Sequence, residues 1–422
     1  MNLFKKKYYI FFFLFYATLL SGFFLNEDSL GGAKHDYLYH LKFVELFKDN
    51  SLSDGLKKYS KLGYESRNSP VFYIVFAYLN KFIPLDVIRF LNSFISIFLA
   101  LIFYKCLKFK YKKQNKLILI LISSIVFLSP TVRSLSIWPY PLIWGIFFFT
   151  SSLYFFLRFL EAENDKNKFL FAFLSTILII IAAYIHPPLG LFNIFYLIYF
   201  YLNLNFKKIL IIITLNILFI IPVIIFLSKN GLFFFHKMEG ENVNIFTTLN
   251  LFNKIIIIST IIFYYLIPCI NPFHLFKEII QKINLNKLLI FLIITLIFSK
   301  FFNYDFTFIH GGGYVHKLSY ILLGNYQILY AIFFISLIVF FVIFNNNFKN
   351  YLIYILIIVS NIQYTIYNKY YDILVLIIFF LIADLNMKER FFQNKYNILF
   401  LYLFYTAYYL VNLFKGNLYR LF

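Results

Sequence analysis

The nineteen residues Ile209–Leu227, ILIIITLNILFIIPVIIFL, hold two polar side chains, Thr214 and Asn216, and no charge. An α-helix rises about 1.5 Å per residue and the hydrocarbon of a bilayer is about 30 Å thick, so a run of this length crosses a membrane once. Leu117–Leu128 and Ile328–Phe344 repeat the pattern, and apolar runs recur along all 422 residues. Hydrophobic residues make up 62% of the chain and charged residues 14%, against roughly 45–50% and 25% in soluble domains. The expected fold is all-α and polytopic. Lipid offers no hydrogen-bond partner to the backbone, and helices satisfy theirs internally.

Charge placement sets the topology. The net charge is +21, but the lysines cluster in short connections between apolar runs, as the positive-inside rule requires, so nucleic acid is not an expected partner. The connection Lys108–Lys116 carries five lysines. It reaches the cytoplasmic side if the apolar stretch Val71–Ile83, too short to span comfortably, lies along the outer surface instead of crossing. That choice yields a single domain of about thirteen spans over residues 1–422, with the N-terminus inside and residues 26–84 as an outer loop with amphipathic juxtamembrane helices. Tyr8–Leu25 reads as a retained first helix, because no small-residue cleavage site follows it. Lys34–Lys48 reads as an amphipathic helix with Tyr37, Leu41, Val44 and Phe47 along one stripe, and Pro130–Pro141 as an outer connecting segment. Cys106 and Cys269 sit in apolar runs and suit neither a disulfide framework nor a thiolate metal site, so no metal and no cofactor is expected.

Reactive side chains concentrate on the side assigned as outer. Asn26–Ser69 holds seven of the 18 acidic residues. In Asp36-Tyr37-Leu38-Tyr39-His40, helical spacing puts Asp36, Tyr39 and His40 on one face. A carboxylate so placed can accept a proton from a hydroxyl, with the imidazole orienting it. The alternative is a first-turn acidic residue favoured by the helix dipole. Arg67, Arg133 and Lys317 are candidate cations for a departing phosphate, with His186 and His316 beside them, and Trp138 is an interfacial anchor or a sugar platform. Gly311-Gly312-Gly313 is a weak candidate phosphate cradle, and Glu27, Asp28 and Asp305 are alternative bases.

The Asp-x-x-Tyr-His arrangement in the first long outer loop resembles the GT-C superfamily of membrane glycosyltransferases. Pro70-Val71-Phe72-Tyr73 is similar to the Pro-Leu-Tyr-Tyr stretch that opens an interfacial helix there, and Arg89-Phe90-Leu91 to an Arg-Leu-Pro near the start of the next span. The span count resembles bacterial aminoarabinose and related lipid-linked sugar transferases. Two features depart from that pattern. Tyr37 stands where the family often has a second acidic residue, and Pro130–Pro141 carries none. The resemblance implies transfer of a sugar from a polyprenyl-phosphate donor to a lipid, glycan or protein acceptor at the outer face of a bacterial cytoplasmic membrane. Asp36 is then the base, His40 its neighbour, and Tyr39, Arg67, Arg133, Trp138, His186, His316 and Lys317 contact substrate. An O-antigen-type polymerase or ligase, and a transporter or lipid flippase, are the alternatives.

Overall fold

The computed structural model describes residues 9–62, 68–230, 250–304, 311–361, 363, 365–385 and 391–418. Among them the chain is helical, with no strand and one isolated bridge between Gly311 and Ile366. Seven helices among the described residues are long and apolar enough to cross a membrane, or nine if each of two bent pairs is one span. A multi-pass membrane protein follows. The chain divides into two compact units, residues 1–237 with 405–422, and residues 238–404.

The first unit opens with α1 (Tyr9–Phe24), followed by three helices of the expected loop: α2 (Ala33–Asp49), α3 (Leu52–Lys61) and α4 (Val71–Asn80). Then come α5 (Leu85–Ser93), α6 (Ile95–Lys110), α7 (Lys116–Ser124), α8 (Pro130–Ile137), α9 (Pro141–Glu161), α10 (Asp165–Ile185), α11 (Phe192–Asn203) and α12 (Phe206–Asn230). Its core is α9 packed along α10 and α6. The expected stripe on α2 is buried at Tyr37, Val44 and Phe47, and Phe43 joins it. Phe43 is recruited because α3 and α4 close over α2 from two sides, with Tyr59, Phe72, Tyr73 and Phe76 in one apolar cluster. Trp144, Ile185, Phe226 and Leu227 pack against this cluster. The α2–α4 layer therefore rests on the start of α9 and the ends of α10 and α12. The opposite end of the unit is tied by the ion pairs Lys112–Glu161 and Lys208–Asp165 between its lysine-bearing connections.

Pro130–Pro141 is not a surface segment. Ser129, extended as a residue before proline must be, ends the preceding helix. Its hydroxyl then accepts from Val132 N–H at 3.1 Å, and Pro130, which has no N–H to lose, begins α8. Every residue of α8 is buried, and its axis is bent 61° from 116–128. α5 terminates α8: Asn92 Nδ2 donates to the carbonyls of Leu135 and Ser136 at 3.0 and 2.7 Å, and Arg89 Nε to that of Ile137 at 3.0 Å. Residues 89 and 92 are three apart on one face, which is what lets one helix satisfy three orphan carbonyls of another.

The second unit contains α13 (Leu251–Leu266), α14 (Pro272–Lys282), α15 (Leu285–Lys300), α16 (Gly313–Leu323), α17 (Gln327–Phe344), α18 (Phe348–Val359) and α19 (Asp372–Leu381). The last helix, α20 (Lys395–Leu418), runs from this unit into residues of the first. These lengths do not bear out thirteen spans. α11 and α18 have 12 residues, α16 has 11, and α19 has 10, all of the α19 residues buried. Hydropathy alone cannot distinguish an apolar helix sealed inside a protein from one that faces lipid.

Candidate functional site

The start of α2 is built by Asp28. Gly31 and Gly32 have φ of +74° and +146°, conformations that glycine adopts without a Cβ clash. This turn wraps four backbone N–H groups, those of Gly31, Gly32, Ala33 and Lys34, around the Asp28 carboxylate at 3.0–3.2 Å. Asp28 is thereby a cap and an α2 anchor. One turn further on, Asp36 and His40 share the α2 face, both half-buried.

His40 is held by Tyr73 and Tyr140. Tyr73 Oη lies 3.0 Å from His40 Nδ1, and Asn68 Nδ2 donates to the same hydroxyl at 3.2 Å. Tyr140 stacks on the imidazole with centroids 5.4 Å apart. Burial pushes the Tyr73 hydroxyl well above its ordinary range, with Tyr59, Tyr140 and Asp36 adding to the effect. The Tyr73 hydroxyl thus accepts from Asn68 and meets Nδ1 of His40, which ties the imidazole to α4. Tyr39, exposed, carries the Lys42 ammonium over its ring at 3.7 Å. Asp36, His40, Tyr73 and Tyr140 form one group at the end of the unit roofed by α2–α4.

The other expected contacts of the first unit are committed elsewhere. Arg133 makes a buried two-pronged pair with Glu27, Nε to Oε1 at 2.8 Å and Nη2 to Oε2 at 2.5 Å. Its remaining donors reach the Thr18 hydroxyl and carbonyl at 3.0 and 2.9 Å and the Phe127 carbonyl at 3.3 Å, and the Tyr409 ring lies 4.6 Å away. A guanidinium so saturated fixes α8 to α1. Gly22 makes the room, since a Cβ there would lie 2.2 Å from Glu27 Oε2. Trp138 is buried, its Nε1 donates to the Glu27 carbonyl at 2.9 Å, and the Arg89 guanidinium covers its ring at 3.7 Å. It is thus no open platform for a sugar. His186 is buried with its Cβ pressed toward Gly145, where an added Cβ would come within 2.7 Å. Arg67 and Asp305 lie outside the described residues.

In the second unit His316 is fully buried among Tyr326, stacked at 5.0 Å, Tyr304 and Phe302, and Lys317 beside it is half-buried. The three glycines before it all have φ near +80°, and Gly312 N–H donates to the Ile366 carbonyl at 2.8 Å. Cβ atoms at 311 and 312 would lie 2.3 Å from Ile366 O and from His316 Nδ1. The run is therefore packed against protein, which leaves no open phosphate cradle there. Burial, with Lys317 adding to it, lowers the His316 pKa from 6.5 to about 4 against the opposing pull of a hydrogen bond to the Tyr304 carbonyl. The folded pKa lies below the unfolded one, so between these values the unfolded chain binds the extra proton. The stability contributed by neutral His316 is complete above about pH 6.5 and is lost as pH falls toward 4, an effect of about 3 kcal/mol. Unfolding of wild type and His316→Gln at pH 7 and pH 4.5 should show this dependence in wild type only. An equal dependence in both proteins would remove the assignment.

Sequence reasoning misses two ionisable groups, Lys254 in α13 and Asp372 at the start of α19, both buried. A signal for them exists: each is a lone charge beside an apolar run, which in a membrane protein marks a site by default. Among the described residues no group of three His, Cys, Asp or Glu side chains comes together to hold a metal. No family model, curated protein or solved structure matches the chain.

Proposed function

We propose that the protein is a membrane glycosyltransferase of the GT-C type, which moves a sugar from a polyprenyl-phosphate donor to a hydroxyl acceptor. The observation that supports this best is the α2 face. Asp36 and His40 stand one turn apart at a site walled by Tyr73 and Tyr140, roofed by short non-spanning helices, at the end of the first unit away from its lysine-rich connections. By the positive-inside rule that end faces outward, where lipid-linked donors are used. In this reading Asp36 takes the acceptor proton and His40, fixed by Tyr73, orients the acceptor. Displacement at the anomeric carbon then proceeds in one inverting step with an oxocarbenium-like transition state, the glycosidic phosphate leaving with its bonding electrons. Half-burial of the site limits competition from water.

A transport reading draws on Lys254 and Asp372, since buried ionisable groups in membrane helices also mark translocation paths. The two separate in one assay. Purified protein in detergent is offered radiolabelled polyprenyl-phosphate sugars, and release of the sugar to water or to added acceptors is followed. Time-dependent release supports the transferase. No release across a broad donor panel by folded protein, together with movement of a labelled lipid in proteoliposomes, assigns transport instead.

A further inference from the structure

The second unit holds a cation with most of its hydrogen-bonding capacity unused. Lys254 lies in the first turn of α13 and is 3% exposed. Its ammonium donates to the Asn361 carbonyl at 2.6 Å, just beyond the end of α18, and no described carboxylate pairs with it. An ammonium has three N–H donors, so two are left without an acceptor among the described residues. A buried unpaired cation is unfavourable by itself, and in the first turn of a helix it also meets the positive end of the macrodipole.

The surroundings are polar and fixed. Asn361 is pinned by the Gln363 N–H on its Oδ1 at 3.1 Å and by its own Nδ2 on the Thr365 carbonyl at 3.3 Å. The buried Thr365 hydroxyl has no hydrogen-bond partner among the described residues. The start of α13 is uncapped by any side chain, because Asn250 makes no such bond. The spare ammonium donors call for an anion with several acceptor oxygens, and the start of α13, where Lys254 stands, favours the same charge.

We propose that Lys254 holds a phosphate group carried by a lipid. α13 has the length and apolar composition of a span, and Lys254 stands one turn from its end, at the depth where lipid phosphates lie. The assignment is independent of the transferase reading, because a prenyl-phosphate carrier and a bilayer phospholipid present the same chemistry.

The test uses the full chain in uncharged detergent. Thermal unfolding of wild type, K254M and K254R is followed with inorganic phosphate, phosphatidylglycerol and undecaprenyl phosphate, and with diacylglycerol and undecaprenol as uncharged counterparts. At least one phosphate probe should raise the wild-type transition above its uncharged counterpart. K254M should bind that probe about tenfold or more weakly, and K254R should keep much of the affinity. Without probe, K254M should unfold at or above the wild-type temperature, since it removes an unpaired buried charge. The probe that binds identifies the source of the phosphate. The proposal is overturned if no phosphate probe exceeds its uncharged counterpart, or if K254M binds as wild type does. It is equally overturned if K254M is markedly less stable, because the ammonium is then only a structural tie to α18.

Discussion

Asp36→Asn is expected to abolish sugar transfer while leaving a protein that inserts, purifies and unfolds like wild type. The substitution keeps size and shape on a half-buried face of α2, and the backbone cap of that helix is supplied by Asp28, whose oxygens accept from four backbone N–H groups. What asparagine removes is the ability to accept a proton. General-base assistance contributes about 10²–10⁴-fold, so release of sugar to acceptor should fall by that factor with donor binding little changed. Retained turnover in Asp36→Asn would move the base to another residue. Of the alternatives, Glu27 is locked to Arg133 and Asp28 to the α2 backbone, so such a result would count against the α2 site as a whole. A loss of activity matched by a loss of folded protein would instead show a structural role for Asp36.

Glu27→Gln is expected to have the largest effect on stability. Glu27 and Arg133 side chains are 6% and 3% exposed, and the guanidinium keeps five hydrogen bonds around that carboxylate. Removing one charge of such a pair strands the other, at about 3–5 kcal/mol, against a total domain stability of about 5–15 kcal/mol. Glu27→Gln should therefore lower the detergent unfolding temperature strongly and reduce yield. The double variant Glu27→Leu/Arg133→Met should recover much of the loss, because apolar side chains of similar volume need no partner in a buried site. A single variant as stable as wild type, or a double variant worse than either single, would show that the pair does not act as the tie between α1 and α8.

Part of this site is legible in the amino-acid sequence alone. The α2 helix and its stripe follow from apolar spacing, and α4 from a length too short to span; both form within a few residues of expectation. Asp36 beside His40 follows from helical periodicity. Tyr73 and Tyr140 as the partners of that histidine cannot be found this way, because 33 residues of chain separate His40 from Tyr73 and no local rule links them. Arg133 shows the converse. A lone arginine between apolar runs looks like a cation for a substrate phosphate, and only the return of Glu27 to within 2.8 Å of it reveals a closed pair.

Local chain chemistry dictates a helical membrane protein, because apolar runs with few charges admit no other structure in lipid. It also dictates which connections collect lysine and which collect acids and histidines. Folding settles which apolar helices are enclosed, as α8 and α19 are. It also settles which charges are neutralised by a distant partner and which, like Lys254, stay short of one. One cause underlies both divisions. Hydropathy is a property of neighbouring residues along the chain, whereas burial and charge compensation depend on atoms that folding brings together from far apart.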